Sequence, residues 1–223
     1  MNRYMALTLV ILCPLLWTTA DAQDTQQPML DEVVKKVQEI YSRQCCFTAR
    51  FDQLTVNVSM ELQDRFQGIM YVRKPGLIAL EVQLPEPQKV VVRGRSYVVA
   101  FLNDGNVVRG EVPPEINVEH FFGFFANMGN IEGSFTVQFP VKALDPEDGL
   151  IFLELTDKKD PQSTYRILLG IDAASFTVRR TIIYDALGNY NRFDLSEIAF
   201  LKSLPDSRFE VATGPSSDYG DKH

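Results

Sequence analysis

Histidine is nearly absent: His120 and His223 are the only two in 223 residues. A Ser-His-Asp set would have to pass through His120, which stands in a phenylalanine-rich segment with no nucleophile elbow beside it. Three cysteines and two histidines fall short of the ligand sets zinc requires. No Gly-rich phosphate loop and no dinucleotide fingerprint occur. An excess of base is missing too, since Lys and Arg number 22 against 29 Asp and Glu, for a net charge of −7. A protein that reads phosphates needs a basic footprint, so nucleic acid is excluded as a partner. Of the carboxylate groups Glu81/Glu86 and Asp145/Glu147/Asp148, the second falls in turn-forming sequence, where solvated acids are the rule. These absences predict a binding protein, not an enzyme, with no cofactor and no metal.

What is present begins with an apolar run. Arg3 is followed by Met5–Leu16 and then by Ala20-Asp21-Ala22, a small-x-small cleavage pattern. Residues 1–22 are therefore expected to be a secretory signal peptide, with the mature chain starting at Gln23. The run is short of the roughly 20 apolar residues that a membrane span needs. Removing it takes one base, one acid, Cys13 and the single tryptophan, Trp17. Cys45 and Cys46 remain, adjacent in sequence. Strand alternation would turn their side chains to opposite faces, one buried and one exposed or partly covered. A disulfide between neighbours is strained, because bridged α-carbons normally lie at least about 4.4 Å apart.

Leu30, Val33, Val34, Val37, Ile40 and Tyr41 recur at helical spacing and predict an amphipathic helix of three to four turns. Beyond Cys46 the period changes to two. Phe47, Ala49 and Phe51 alternate with polar residues. Leu54, Val56, Val58, Met60 and Leu62 continue out of phase, which predicts a bulge near Gln53. Further strands are expected over 68–73, 77–84, 89–93, 96–102, 134–141, 150–157, 164–171, 177–185 and 190–200. Gly- and Pro-rich turns separate them, with a hairpin at Asp185–Asn189.

About ten strands in meander order form one antiparallel sheet, and a sheet that long must curl to bury a face. The fold class is mainly β with α. One domain spans 23–211, and 212–223 is a polar tail. Residues 113–130 break the pattern. Val118, Phe121, Phe122, Phe125 and Met128 share one helical face, broadened by Phe124, between Pro113-Pro114 and Gly129. This insertion has the character of a flap over the sheet.

The stretch Gly68-Ile-Met-Tyr-Val-Arg-Lys-Pro75-Gly-Leu-Ile-Ala-Leu80 opens a strand with Gly, ends it in two basic residues and Pro, and continues into an apolar strand. Pro85, the Val90–Val99 strand pair with its Arg93-Gly94 turn, Asp172, Asp185, Gly188-Asn189 and Leu204–Phe209 follow in order. Together with the leader and the helix-then-meander layout, this order resembles the LolA family of periplasmic lipoprotein carriers, over roughly Leu30 to Gly214. The resemblance implies an unclosed half-barrel covered by helices, in the periplasm of a Gram-negative bacterium. Such a carrier, a monomer, takes acylated lipoproteins from an inner-membrane ABC transporter and hands them to an outer-membrane acceptor. Another envelope lipid as cargo, or a regulatory interaction domain on the same half-barrel, is the alternative.

The resemblance also assigns a lid clasp to the basic residue before the proline, here Lys74, where the family commonly has Arg; Arg73 would point to the opposite face. Lys offers a point donor in place of a planar fork. The expected cavity wall is Val56, Val58 and Met60, then Met70 and Val72, then Ile78, Leu80 and Val82, with Tyr97, Val99 and Phe101. The expected lid is Val118, Phe121, Phe122, Phe125 and Met128.

Overall fold

A computed structural model describes residues 23–111, 124–125, 130–141, 149–162 and 164–211, with side chains from Met29 onward. Helix α1 runs Gln23–Ser42. Its first turns, QDTQQP, are polar and carry no apolar period, so periodicity locates only the part from Leu30 on. That part buries Leu30, Val33, Val34, Val37 and Tyr41 along one face.

Eleven strands follow. They are β1 (Cys46–Asn57), β2 (Leu62–Arg73), β3 (Leu77–Leu84), β4 (Gln88–Arg93), β5 (Ser96–Phe101) and β6 (Val107–Glu111), then β7 (Phe135–Gln138), β8 (Leu150–Asp157), β9 (Arg166–Asp172), β10 (Val178–Tyr184) and β11 (Tyr190–Leu201). A one-turn helix, α2 (Ile131–Ser134), precedes β7, and a short 3-10 helix spans Asp206–Phe209. All the strands join one antiparallel sheet in the order β6-β5-β4-β3-β2-β1-β11-β10-β9-β8-β7. Its edges β6 and β7 do not meet, which makes an unclosed half-barrel. Strand β6 is the addition to the ten expected. Its Val107-Val-Arg-Gly-Glu sequence is too short and too polar to announce itself.

The expected bulge near Gln53 is not there. Strand β1 pairs with β2 without interruption from Cys46 opposite Arg73 to Asn57 opposite Leu62. The apolar phase changes because the inner face itself changes chemistry at Gln53 and Thr55. The extra residue lies in β11, where the register with β1 shifts between Ala199 and Ser196 and Glu197 takes a φ of 50°. Another irregularity lies between Gln67 and Gly68, opposite Leu84 and Val82. A β-carbon on Gly68 would stand 2.0 Å from the Glu81 carbonyl oxygen, so only glycine permits this approach.

The inner face of the sheet, defined as the one against α1, carries one continuous apolar core. It runs from Phe47, Met70, Ile78 and Val92 on one half to Leu153, Leu169, Ile171 and Phe193 on the other, with α1 spanning both. The outer face holds a smaller cluster, in which Leu204 and Phe209 of the C-terminal segment cover Cys46, Tyr71, Leu77, Ala79 and Val91.

Candidate functional site

The inner wall is assembled by register. Ala49 faces Met70 and Phe47 faces Val72, while Met70 faces Leu80 and Val72 faces Ile78. Side chains opposite one another in an antiparallel pair share a face, so the stripe continues without a break. Gly68 faces Val82, and Leu80 and Ile78 face Val90 and Val92. Those two lead on to Val99 and Tyr97. Met70, Val72, Ile78, Leu80 and Val82 are buried in the inner core, with Tyr97 packed at its margin. Val99 and Phe101 are half-buried on the same stripe.

Val56, Val58 and Met60 do not belong to this wall. With no bulge at Gln53, even-numbered residues of β1 keep pointing outward. Val56 stands opposite Tyr190, which packs with the outer-face residues Phe152, Leu168 and Ile182. Val58 and Met60 lie in the β1–β2 turn, 53% and 66% exposed. The residues that do occupy the inner face here are Gln53, whose side-chain amide donates to the Thr55 hydroxyl at 3.4 Å, and Asn191, opposite Thr55. This end of the face is polar.

Of the expected lid, Val118, Phe121, Phe122 and Met128 lie outside the described residues, as do His120 and the Asp145–Asp148 carboxylates. Phe125 is described and is 2% exposed, and its neighbour Phe124 is 6% exposed. The Phe125 ring lies 5.7 Å from that of Phe47, and the Phe124 ring 4.9 Å from that of Tyr41, edge to face. Tyr41 also meets Phe47 and Phe200, at 6.0 and 5.4 Å. An aromatic cluster thus joins α1, β1, β11 and the 124–125 pair at one point of the inner face. Edge-to-face pairs of this kind add about 0.5–1.5 kcal/mol each beyond the area they bury.

Lys74 is where the clasp was expected, and the described element it holds is α1. Its ammonium donates to the Ser42 carbonyl at 2.9 Å and to the Tyr41 carbonyl at 3.3 Å. These are last-turn carbonyls, which have no partner within the helix and carry its negative dipole end, so a cation there satisfies both needs. Arg73 points away, to the Leu204 carbonyl and Asp206 on the outer face, as strand alternation requires. Tyr41 supplies a second tie: the Val178 backbone N–H donates to its hydroxyl at 3.0 Å. Burial pushes the Tyr41 phenol far above its ordinary range, so it stays neutral.

Sequence reasoning missed the Tyr41 tie, and also the half of the wall made by β8 to β11. The signal was available there, in the alternation of Ile167, Leu169 and Ile171. Cys46 is fully buried and Cys45 exposed, as expected, but the two sulfurs point together and not apart. Glu81 is paired with Arg208 and accepts the Tyr71 hydroxyl. Among the described residues no group of three or more His, Cys, Asp or Glu is placed to hold a metal ion.

Residues 44–212 match the sequence model of the family described as Outer membrane lipoprotein carrier protein LolA, a span that includes all eleven strands. No curated protein sequence matches. Among solved structures, a LolA superfamily protein from Nitrosomonas europaea is similar at 16% identity and a TM-score of 0.44, covering 82% of this chain and 97% of that one. A DUF1329 family protein from Desulfovibrio piger is similar at 13% identity and a TM-score of 0.42, covering 81% and 97%. The lipoprotein LppX of Mycobacterium tuberculosis is similar at 11% identity and a TM-score of 0.43, covering 77% and 96%.

Proposed function

The chain belongs to the LolA family, and from that premise we propose that it is a periplasmic carrier of acylated lipoproteins. Its 1–22 leader directs secretion and is cleaved. The mature chain, a monomer of domain 23–211 and tail 212–223, shelters acyl chains on the inner face and carries them from an inner-membrane ABC transporter to an outer-membrane acceptor. It binds and releases; it does not catalyse.

The observation that carries this reading is an apolar inner face, continuous across both halves of the sheet, whose described cover is α1, held at its end by Lys74, with the Phe124–Phe125 pair beside it. The energies suit an exchange. Five buried side chains hold α1. At about 2 kcal/mol each they contribute roughly 10 kcal/mol, the amount that about a dozen buried methylenes supply at about 0.8 kcal/mol apiece. An acyl chain can therefore take the helix's place on the face without a net loss of burial. In the reading proposed, the wall is Met70, Val72, Ile78, Leu80, Val82, Tyr97, Val99 and Phe101. The lid is the segment around Val118, Phe121, Phe122, Phe125 and Met128, and α1 is a second cover.

The test is release of lipoprotein from inner-membrane vesicles that contain the transporter. The purified chain should move an acylated lipoprotein into the soluble fraction in a one-to-one complex, and an unacylated version should stay unbound. Failure to release any lipoprotein refutes the proposal. Uptake of free phospholipid instead would assign the cargo to another envelope lipid.

A further inference from the structure

In the mature chain proposed above, which starts at Gln23, Cys45 and Cys46 are the two cysteines, and each is the other's one possible intramolecular partner. Their sulfurs lie 2.7 Å apart at the joint between α1 and β1. The Cys45 thiol faces solvent and the Leu201 and Lys202 carbonyls, at 3.3 and 3.0 Å. The Cys46 thiol is fully buried and lies 3.2 Å from the same Leu201 carbonyl. Burial, reinforced by the neighbouring Cys45 sulfur, pushes the Cys46 thiol up to about 11. One sulfur is thus accessible and the other is held against it, unable to react first.

We propose that Cys45 and Cys46 form a reversible thiol–disulfide couple, with Cys45 as the attacking thiol and Cys46 as the resolving one. The oxidant is an external disulfide, of a small molecule or of a protein. The Cys45 thiolate attacks one sulfur of that disulfide and expels the other half as a thiolate, leaving Cys45 in a mixed disulfide. The expelled thiolate takes the Cys46 proton. Cys46 then attacks the Cys45 sulfur, forms the Cys45–Cys46 bond and releases the second half. Two electrons and two protons pass from the pair to the oxidant, which leaves as two thiols.

The product reverts easily. Neighbouring α-carbons lie about 3.8 Å apart, below the span of about 4.4 Å that an unstrained bridge takes, and strained disulfides are the readily reduced ones. The position gives the couple a target. The Cys45 carbonyl accepts the Lys74 backbone N–H at 2.9 Å, and the Lys74 ammonium holds the end of α1. Closing the ring bends the backbone at the residue to which the clasp is anchored.

Both cysteines fall on one tryptic peptide, Gln44–Arg50, which makes the test direct. The mature chain, from Gln23 on, is incubated with oxidised glutathione, alkylated, digested and weighed. The expected product is an unalkylated Gln44–Arg50 peptide two hydrogens lighter than the dithiol, returning to the doubly alkylated form after mild treatment with dithiothreitol. Cys46→Ser should stop at a glutathionyl group on Cys45, and Cys45→Ser should take up none. A wild-type peptide that stays doubly alkylated overturns the proposal. So does one that ends as a glutathione adduct or a disulfide between chains, and the wild-type digest decides this without either variant.

Discussion

Replacing Lys74 with Met removes both hydrogen bonds to the last turn of α1 while keeping the length of the side chain. A hydrogen bond from a charged donor contributes about 1.5–3 kcal/mol when shielded, and a cation at an exposed helix C-terminus about 0.3–1 kcal/mol. The Ser42 bond is exposed and the Tyr41 bond part-buried, so the pair together is expected to contribute about 1–2 kcal/mol, at the lower end of those ranges. That is a factor of roughly 5–30 in the equilibrium between docked and undocked α1. The sheet does not depend on these bonds, because β1 and β2 pair along their whole length without them. Hydrogen exchange read by mass spectrometry separates the two effects. Peptides from α1 should exchange about 5–30 times faster in Lys74→Met, peptides from β1, β2 and β11 at the wild-type rate, and Lys74→Arg should restore most of the protection. Unchanged exchange in α1, or equal acceleration in helix and sheet, would refute the idea of a clasp acting on a detachable cover.

Other expectations are as direct. Tyr41→Phe leaves the buried Val178 N–H without an acceptor and should destabilise the fold by about 1–3 kcal/mol, which calorimetry would read as a fall in Tm of about 2–4 °C per kcal/mol. Gly68→Ala forces a β-carbon into the Glu81 carbonyl and should lower the urea midpoint by more than a surface Gly→Ala change does, since β2 and β3 must part to admit it. Phe125→Asp puts a carboxylate where the ring is 2% exposed; retention of a fluorescent fatty acyl probe should fall at least tenfold, with the far-ultraviolet circular dichroism unchanged. The Arg65 guanidinium, which donates to both oxygens of Asp52, and the Gln67 amide hold the Asp52 carboxyl below its usual range. A depressed folded pKa gives stability that is fully present above the unfolded value of about 3.9 and is lost as pH falls below it. The urea midpoint should therefore drop as pH falls below about 4, and Asp52→Asn should remove part of that drop.

How much of this the residues announce depends on what each signal measures. Apolar alternation located ten strands, and the meander order follows because hairpin turns such as Asp185–Asn189 leave no room for crossovers. The closing of the sheet order through β1 and β11 was not legible, since pairing between the first and last strands is a long-range contact with no local mark. Alternation also puts Val56, Val58 and Met60 in the wall, whereas Val56 lies on the outer face and the other two in the β1–β2 turn. It reports which residues are apolar, and the break at Gln53 was read as a backbone slip when it marks a polar end of the inner face. Lys74 was legible only through the family resemblance; a lysine before a proline looks like any strand-end cation. Tyr41 was placed on the helix's apolar face, but its hydroxyl's partner, Val178, is 137 residues away and invisible to periodicity.

The central claim is that the inner face takes acyl chains. Native mass spectrometry of the chain, extracted gently from its own envelope, tests it most directly. The account predicts a population heavier by one acylated ligand, lost when Phe125 is replaced by Asp and released faster when Lys74 is replaced by Met. A chain that carries no ligand, and takes none from added acylated lipoprotein, would contradict it.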